Sequence, residues 1–445
     1  AQLGSEAIER SLIAGAIGLG LVMIFMIVVY SLPGVVAAWA LLIYTALELV
    51  MLNAFDLTLT LPGIAGIVLS IGMAVDANVI IFARIREEIA TGKTVKAAMK
   101  IAYQKALSAI IDGNVTTLIA AAVLGFLGSG TVRGFAQTLA LGIVVSMFTA
   151  LFVTRSLMNA FYALGIRDEK FYGKAKERKT INFVSKKAVF FTASIAVILV
   201  GFIAMGVYKV RTGQALNYSL EFVGGTSTNV TFNEDMSIEE LDTQVVPLIE
   251  EITGDGNVQT QKVQGTTQVI FKTRTLSADE REEMNQMLAD NFDVDASTTT
   301  AESISSTISG ETRQEALVAV IVSAFFMLIY VWFRFKDVRF GASAVTALIH
   351  DVLVVVAFYA VARVSVGSTF IACILTIVGY SINATIVIFD RIRENMRAEG
   401  TDNLPELVNR SITQTLSRSI FTSLTTFIMV AVLYVIGVSS IREFA

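Results

Sequence analysis

GMAVDANVIIFARIREE, residues Gly72 to Glu88, is repeated 307 residues later as GYSINATIVIFDRIREN, residues Gly379 to Asn395, with 8 of 17 positions identical. A second pair of blocks, TTLIAAAVLGFLGSGTVRGFA (Thr116 to Ala136) and TTFIMVAVLYVIGVSSIREFA (Thr425 to Ala445), shares 10 of 21 positions. The two pairs occur in the same order along the chain, at offsets of 307 and 309 residues. The chain therefore contains two related halves, and a repeat around a polar residue within a membrane span is typical of transporters.

The composition is that of a membrane protein, because 54% of the residues are hydrophobic and 16% are charged, whereas soluble domains carry roughly 25% charged residues. The single cysteine, Cys373, lies in an apolar run, which argues against a disulfide framework or a thiolate metal cluster. The sequence has one histidine and lacks P-loop, GxSxG and HExxH motifs. It therefore predicts a protein that is not an enzyme, uses no cofactor or metal, and draws its energy from an ion gradient or a partner.

Ten apolar segments are long enough to cross the hydrocarbon core, which takes about 20 helical residues. They are 11–30, 35–54, 61–82, 107–127, 135–157, 188–208, 316–333, 342–361, 369–389 and 417–435. Lysine and arginine accumulate after the third, fifth, seventh and ninth segments, so the positive-inside rule assigns these loops to the cytoplasm. Both copies of the RIRE motif then lie on one side of the membrane, as expected for parallel repeats related by an axis along the membrane normal.

The one long polar segment, Lys209 to Gln314, follows the sixth span and is predicted to be extracytoplasmic. It carries 7 basic and 18 acidic residues, a net of 7 − 18 = −11 in a chain of net charge −4. Its pattern predicts strands at 226–232, 258–263 and 267–273, helices at 237–253 and 277–291, and a final extended stretch. Ser237 and Ser277 each precede a glutamate by three residues, the spacing of a capping box. This order predicts a small ferredoxin-like domain, whose acidity favours solubility or, alternatively, binding of a basic partner.

The predicted regions are five. They are a first transmembrane half of about five spans (1–165), a basic cytoplasmic linker (166–187), the first span of the second half (188–208), the polar domain (209–314) and the remaining spans (315–445). In the second half, a span and a polar domain precede the block of four spans, whereas the first half begins at Ala1. Comparison of the halves leads us to expect a further span and polar domain before Ala1 and a last span after Ala445.

Several stretches resemble the protein-export membrane proteins SecD and SecF, fused in one chain. LPGIAGIVLSIGMAVDANVIIFARIREE and the stretch from Asp112 to Arg155 resemble SecD, whereas LEFVGG, ALIHDVLVVV, TIVGYSINATIVIFDRIREN and QTLSRSIFTSLTT resemble SecF. The resemblance implies an α-helical polytopic membrane protein of the resistance-nodulation-division superfamily. Its two pseudo-symmetric helical halves would be parallel, with a small α+β ferredoxin-like ectodomain.

The same resemblance implies a function and a set of partners. The expected role is to assist Sec-dependent export in the bacterial plasma membrane, by coupling proton flow to late stages of translocation. The implied partners are the SecYEG channel, SecA, a YidC-type insertase, YajC, the translocating polypeptide and the lipid bilayer, with no nucleic acid.

Asp76 is the main candidate site residue, because it lies within a span, where a bare carboxylate is costly unless it is protonated, paired or hydrated. We interpret it as the residue that binds and releases the transported proton, with a structural hydrogen bond to a neighbouring span as the alternative. Arg418 matches the arginine of the SecF relay and would act as a fixed counter-charge. The alternative for Arg418 is an anchor that snorkels to the interface.

The second copy of the repeat lacks the carboxylate. Asn383 occupies the position of Asp76, and Ala384 stands where the resemblance leads us to expect an aspartate. Two accounts stay open: an engineered or natural loss that blocks coupling, or a lineage that works with one carboxylate or with another ion. His350 and Asp351 match a SecF pair and form a candidate inner relay. Packing is their alternative, because adjacent helical residues point about 100° apart.

Other residues receive structural interpretations. Glu48 is a lipid-edge or hydrogen-bonding residue, and Asp112 caps the opening of the fourth span. The small residues that allow close helix approach are Gly66, Gly72, Gly379 and Ser381. The RIRE segments set the topology, and the amphipathic stretch 93–109 lies along the inner membrane surface.

Two further functions stay open on the sequence. The first is a small-molecule or lipid exporter of the same superfamily, for which comparable ectodomains in both halves are expected; the single acidic domain argues against it. The second is a non-conducting scaffold for translocon and insertase partners, which the alanine at position 384 suits.

Overall fold

The structure is a computed structural model that describes residues 2–437 except 58, 129, 176–178, 256–257, 264–265, 296–297, 336 and 401. Within these residues, ten helices are long and apolar enough to cross a membrane, in agreement with the ten predicted spans. The last eight residues of the block that ends at Ala445 lie outside the described residues. The chain divides into two compact units, a helical unit (1–215, 318–364 and 369–445) and a small unit (216–317 and 365–368).

The first half supplies seven helices of the helical unit. They are α1 (Gln2–Tyr30), α2 (Leu32–Ala54), α3 (Leu61–Ala74), α4 (Asp76–Ala90), α5 (Val95–Leu127), α6 (Gly130–Phe148) and α7 (Thr154–Ala163). A single residue, Val75, separates α3 from α4; because its backbone angles stay in the right-handed helical region, the two helices together form the third span. A π-helical turn, Thr149–Val153, joins α6 to α7.

The helix α5 corrects two predictions. It is continuous from Val95 to Leu127, so the stretch 93–109 is the first part of the fourth span rather than a separate surface helix. The side chain of Thr94 caps its start by accepting a hydrogen bond from the backbone N–H of Ala97. Asp112 therefore lies in the middle of a helix and caps nothing. Alanines on one face of the early turns, such as Ala98 and Ala102, pack into the apolar core and hold this part against the bundle.

A short helix α8 (Glu169–Tyr172) and the sixth span α9 (Lys187–Thr212) lead to the small unit. Its elements are β1 (Asn217–Tyr218), α10 (Leu220–Val223), β2 (Gly225–Thr231), α11 (Ile238–Glu240), α12 (Val246–Thr253), β3 (Gln259–Lys262), β4 (Gln268–Thr273), α13 (Ala278–Asn291) and β5 (Thr300–Ile304). The main sheet has the order β3-β4-β2-β5 with every pair antiparallel.

Two observations explain how this unit forms. Both predicted capping boxes are present, at Ser237 with Glu240 and at Ser277 with Glu280. The helices cover one face of the sheet with an apolar core formed by Val230, Leu241, Ile249, Phe271, Met284 and their neighbours. The last predicted extended stretch forms the edge strand β5.

The second half completes the helical unit with α14 (Ser306–Phe335), α15 (Val338–Ala362), α16 (Ser368–Glu399) and α17 (Leu404–Ile436). The loop between α15 and α16 forms β6 (Ser365–Val366), which pairs in parallel with β1 within the small unit. The single-residue separation of α3 from α4 has no counterpart in the second half, because α16 is continuous.

The two halves pack reciprocally through the repeated glycines. A Cβ on Gly72 would lie 3.2 Å from the Cα of Thr426 on α17, and a Cβ on Gly379 would lie 3.1 Å from the Cα of Thr117 on α5. Thr117 and Thr426 are themselves equivalent in the repeat, at an offset of 309 residues. Each copy of the repeat therefore packs against the other half in the same way, which confirms that these glycines allow close helix approach. Gly66 likewise packs closely, against α6.

Candidate functional site

Asp76 is the first residue of α4 and is only 5% exposed. The hydroxyl groups of Tyr380, on α16, and Thr425, on α17, interact with its carboxyl group. Its Oδ1 atom has no hydrogen-bond partner among the described residues. A buried carboxyl group that retains an unsatisfied oxygen, with its other contacts made by neutral hydroxyls, is suited to take up a proton.

Two small cavities adjoin this carboxyl group. Asp76, Ile80, Tyr380 and Asn383 line both of them. The first cavity is also lined by five further residues of the second half, namely Ala384, Val387, Arg418, Ser419 and Thr422. The structure therefore brings together four residues that the sequence identified separately: the aspartate, the arginine, the asparagine and the alanine.

Asn383 is held in place by a glycine of the other half. A Cβ on Gly113 would lie only 2.3 Å from the Oδ1 atom of Asn383. The amide therefore packs directly against the backbone of α5. The Asn383 Oδ1 atom has no hydrogen-bond partner within the part of the chain that is described, so this amide is available to groups in the cavity.

Arg418 is 5% exposed and lies within α17, so its side chain is covered by protein, which argues against the snorkelling alternative. Its Nη2 atom is 3.3 Å from Oε1 of Glu87. Among the described residues, its ion-pair partner is thus Glu87 rather than Asp76. Its Nε atom has no hydrogen-bond partner among them. The guanidinium group therefore lies between the cavity of Asp76 and a carboxylate on the same helix as that aspartate.

Four residues of the two RIRE motifs form an ionic layer, namely Arg84, Glu87, Arg391 and Glu394. Arg84 contacts Glu394 of the other half at 2.9 Å, and Arg391 pairs with Glu87 in the reciprocal contact. Within each helix, Arg84 is 3.0 Å from Glu87 and Arg391 is 3.3 Å from Glu394. From the sequence alone, these residues were predicted only to set the topology, and their pairing across the halves was not foreseen. The signal that could have revealed this pairing is in the sequence. The same arginine and glutamate occur in both copies, at the same number of residues after Asp76 and after Asn383.

His350 and Asp351 form a contact of their own on α15. The Nδ1 atom of His350 is 2.8 Å from Oδ1 of Asp351, and the hydroxyl of Ser381 donates to Oδ2 of Asp351 at 2.5 Å. Ser381 lies two residues before Asn383 on α16. The described residues that line the two cavities include neither His350 nor Asp351. The pair therefore lies beside the helix that carries Asn383, and its role as an inner relay stays a prediction.

Glu48 is fully buried, which contradicts the lipid-edge interpretation. The hydroxyl of Ser70, on α3, is 2.9 Å from Oε1 of Glu48, and the Tyr44 hydroxyl donates to Ser70 at 2.8 Å. These three residues link α2 to α3. The Oε2 atom of Glu48 has no hydrogen-bond partner among the described residues.

Asp112 joins three helices from both halves. Its Oδ1 atom accepts a hydrogen bond of 2.8 Å from the hydroxyl of Tyr330, and its Oδ2 atom pairs with the guanidinium group of Arg334. Arg334 also contacts Asp390, on α16, at 3.0 Å. The sequence did not reveal this role of Asp112, because Tyr330 and Arg334 lie more than 200 residues away from it along the chain. No group of three or more His, Cys, Asp or Glu residues is arranged to hold a metal ion within the described parts of the chain.

With this geometry established, comparison with known proteins gives the family. A family model described as protein export membrane protein SecD/SecF, C-terminal, matches residues 1–163 and 283–445. The chain belongs to the SecD/SecF family. The resemblance inferred from the repeat and the flanking motifs is therefore confirmed.

Two SecDF proteins are similar over the whole chain. SecDF of Bacillus subtilis strain 168 is 33% identical over 467 aligned residues, and SecDF of Thermus thermophilus is 38% identical over 452. The alignments cover 100% of this chain but 62% and 59% of those proteins. The chain thus spans about three fifths of the length of the SecDF proteins it matches.

A solved structure agrees with this relationship. The crystal structure of SecDF from Thermus thermophilus, described as a translocon-associated membrane protein, matches with a TM-score of 0.86 at 35% identity. The match covers 100% of this chain and 59% of that one. Together with the ten apolar helices, it confirms that the chain is an α-helical, multi-pass membrane protein of this family.

Proposed function

We propose that the chain is part of an accessory component of the Sec protein translocase, which uses the proton gradient to promote late stages of protein export across the bacterial plasma membrane. One observation carries this proposal: Asp76 is buried in a SecD/SecF protein and shares a cavity with the buried cation Arg418. A membrane-embedded carboxyl group with a nearby fixed positive charge can bind and release a proton without any covalent chemistry.

In this mechanism Asp76 is neutral when it carries the proton and negative after release. Arg418 stabilises the negative form by its charge, because it lines the same cavity. Tyr380 and Thr425, whose hydroxyls interact with the carboxyl group, provide hydrogen-bonding groups that suit either form. We infer that the change in charge biases the packing of the two halves, which meet at this cavity.

The cavity favours the account in which one carboxylate is sufficient. Asp76 is the one acidic side chain among the described residues that line the two cavities. Asn383 and Ala384 supply an amide and a methyl group where a second carboxylate was expected. We propose that one proton site at Asp76 operates here, and that His350 with Asp351 delivers protons along α16 through Ser381.

The partners follow from the family. Since the Thermus thermophilus relative is described as translocon-associated, we propose that this chain associates with the SecYEG channel, with SecA, and with a YidC-type insertase and YajC. The small unit, with its surplus of acidic residues, would then lie outside the cytoplasm, where the translocated polypeptide emerges.

The test compares Asp76→Asn with Glu48→Gln, which removes another buried carboxyl group of the same half outside the cavity. Both variants are made in the full chain and assayed for proton-gradient-dependent secretion and for proton flux in proteoliposomes. We expect Asp76→Asn to abolish the dependence on the gradient and Glu48→Gln to retain it. Secretion by Asp76→Asn equal to that of the wild type would overturn the proposal.

A non-conducting scaffold is the second candidate, favoured by the pairing of Arg418 with Glu87 instead of Asp76. It predicts that SecYEG still co-purifies after the proton gradient is dissipated, and that proteoliposomes show no proton flux. Flux that Asp76→Asn abolishes excludes this candidate.

A further inference from the structure

The two copies of the repeat present matching stripes of residues along α4 and α16. The stripe on α4 is Asp76, Ile80, Arg84 and Glu87, and the stripe on α16 is Asn383, Val387, Arg391 and Glu394. Spacings of four, four and three residues keep each stripe on one face of its helix. Each stripe therefore has a polar position, an apolar position, an arginine and a glutamate in the same order.

The stripes face each other in the structure. Asp76 and Asn383 line the first cavity, and so do Ile80 and Val387 one turn further along. Beyond the apolar pair, the arginine and glutamate of each helix reach across to those of the other, with Arg84 2.9 Å from Glu394. The ionic layer therefore lies next to the apolar end of the cavity, on the side of the RIRE motifs.

The arginines of the layer are shielded from water, which strengthens their ion pairs, whereas the side chains of Glu87 and Glu394 are 26% and 36% exposed. The side chains of Arg84 and Arg391 are each 10% exposed. Arg418 adds a third guanidinium group through Glu87. Three arginines against two glutamates leave a surplus positive charge at the end of the cavity, and a fixed positive charge of this kind excludes cations and protons from a narrow path.

Each arginine has two partners, one on its own helix and one on the other helix. If α4 and α16 separate, Arg84 retains Glu87 at 3.0 Å and Arg391 retains Glu394 at 3.3 Å. Separation of α4 from α16 therefore breaks two cross-helix contacts, Arg84 with Glu394 and Arg391 with Glu87, without leaving either arginine unpaired. An unpaired buried charge would be the costly outcome. Each arginine therefore has an ion-pair partner whether the two helices are in contact or apart, as a two-state gate requires.

We propose that the ionic layer is the gate that closes the Asp76 cavity toward the side of the RIRE motifs. This inference rests on the proposed function, in which Asp76 exchanges a proton with that side. The gate opens when the contacts of Arg84 with Glu394 and of Arg391 with Glu87 separate, and each arginine then relies on the glutamate of its own helix.

The test measures access to the cavity rather than export. A cysteine replaces Ile80, which is 4% exposed and lines both cavities, in a background where Cys373 is changed to Ala. Membrane vesicles of either orientation are treated with a membrane-impermeant maleimide, and the labelling rate is followed. We expect Arg84→Gln and Glu394→Gln to raise the rate from the side of the RIRE motifs about tenfold, the factor that corresponds to about 1.4 kcal/mol.

Matched variants distinguish the opening of a gate from a general loss of folded structure. Arg84→Lys retains the charge and should stay close to the wild-type rate, and Lys100→Gln removes an exposed charge outside the layer and should leave the rate unchanged. Arg391→Gln, the pseudo-symmetric counterpart of Arg84→Gln, should give the same increase if Arg84→Gln does not fold.

Two results would overturn the gate. One is unchanged labelling in Arg84→Gln, Glu394→Gln and Arg391→Gln. The other is an equal increase in labelling from both sides of the membrane. Because labelling requires neither proton flux nor secretion, this result is independent of the Asp76→Asn assay. A labelling increase with normal secretion by Asp76→Asn would refute the proposed function and leave an access gate in place.

Discussion

At the scale of single residues, Gly379 is a position where the two halves tolerate no extra atom. A Cβ there would lie 2.8 Å from the hydroxyl oxygen of Thr117 and 3.1 Å from its Cα, so backbone has to move. We expect Gly379→Ala to lower the stability of the protein by about 1–3 kcal/mol, the usual cost of overpacking. Thermal unfolding in detergent measures the change.

The matched control is Gly20→Ala on α1, where an added Cβ meets no atom within 4 Å. It should be neutral or stabilising by up to about 1 kcal/mol, because alanine is the better helix former. Equal stability of Gly379→Ala and the wild type would show that the packing of Gly379 against Thr117 is looser than described.

The residues of the candidate site were predictable to different degrees. The repeat and the family motifs identified Asp76, Arg418 and Asn383, and the structure places all three around one cavity. Glu87 was missed, although it is the ion partner of Arg418. The spacing of residues in one helix tells which of them share a face, but it does not tell which helix that face meets. The pairing across 331 residues needed the tertiary structure.

At the scale of secondary-structure elements, a buried hydrogen-bonded cluster ties α2 to α3. Ser70 contacts both Glu48 and Tyr44, and Tyr44 also interacts with Glu48, one turn away on α2. We expect Ser70→Ala to cost about 1 kcal/mol, at the lower end of the penalty for a buried polar group that loses a partner, because Tyr44 still reaches Glu48.

A double-mutant cycle sharpens this prediction. Ser70→Ala combined with Tyr44→Phe leaves Glu48 without either hydroxyl, so the loss of stability should exceed the sum of the single losses. Ser343→Ala is the control, because Ser343 is exposed and its hydroxyl only donates to a carbonyl of its own helix. Strict additivity in thermal unfolding would contradict the coupling of the three residues.

The helix α13 begins with a capping box that should depend on pH. Hydrogen bonds from Arg274 and from the backbone of Ser277 lower the pKa of Glu280 from 4.5 to about 2. Because the pKa is lower in the folded state, the stabilisation is present above pH 4.5 and is lost as the pH falls toward 2.

We therefore expect Glu280→Gln to speed hydrogen exchange in the first turn of α13 near neutral pH, with the difference from the wild type shrinking toward pH 2. The comparison uses the full chain in detergent, at equal pH for each pair of samples. Glu283→Gln, which removes an exposed carboxylate one turn later, should exchange like the wild type. A difference that persists unchanged at low pH would refute the role of the ionised Glu280.

The sequence patterns predicted some of the helices and their ends correctly and missed others. The hydrophobic runs gave all ten spans, and the spacing of serine and glutamate gave both capping boxes. The division of α3 from α4 at Val75 and the continuity of α5 were not foreseen. The helix α5 continues through Gly113, where the absence of a side chain admits Asn383. A local propensity cannot distinguish a break from a close contact.

At the scale of the whole molecule, the repeat produces one interface with several layers. In the first layer, Gly72 and Gly379 each contact a threonine of the other half. Further along the two helices lie Asp76 and Asn383, and then the ionic layer. The symmetry is broken at the cavity, where one half supplies a carboxylate and the other an amide and a guanidinium group. A change in the charge of Asp76 therefore acts on the surface where the halves meet.

The parallel arrangement of the halves can be tested by sidedness, since it requires the segments that follow the two RIRE motifs to lie on the same side of the membrane. Cysteines are placed singly in the Cys373→Ala background at three exposed positions, Lys100 on α5, Arg397 on α16 and Asp290 on α13. Because positive charge follows both RIRE motifs, the positive-inside rule predicts that Lys100→Cys and Arg397→Cys react with an impermeant maleimide only in inverted vesicles. Asp290→Cys should react in intact cells. Opposite behaviour of Lys100→Cys and Arg397→Cys would mean that the repeats are inverted, and the pseudo-symmetric gate would then be untenable.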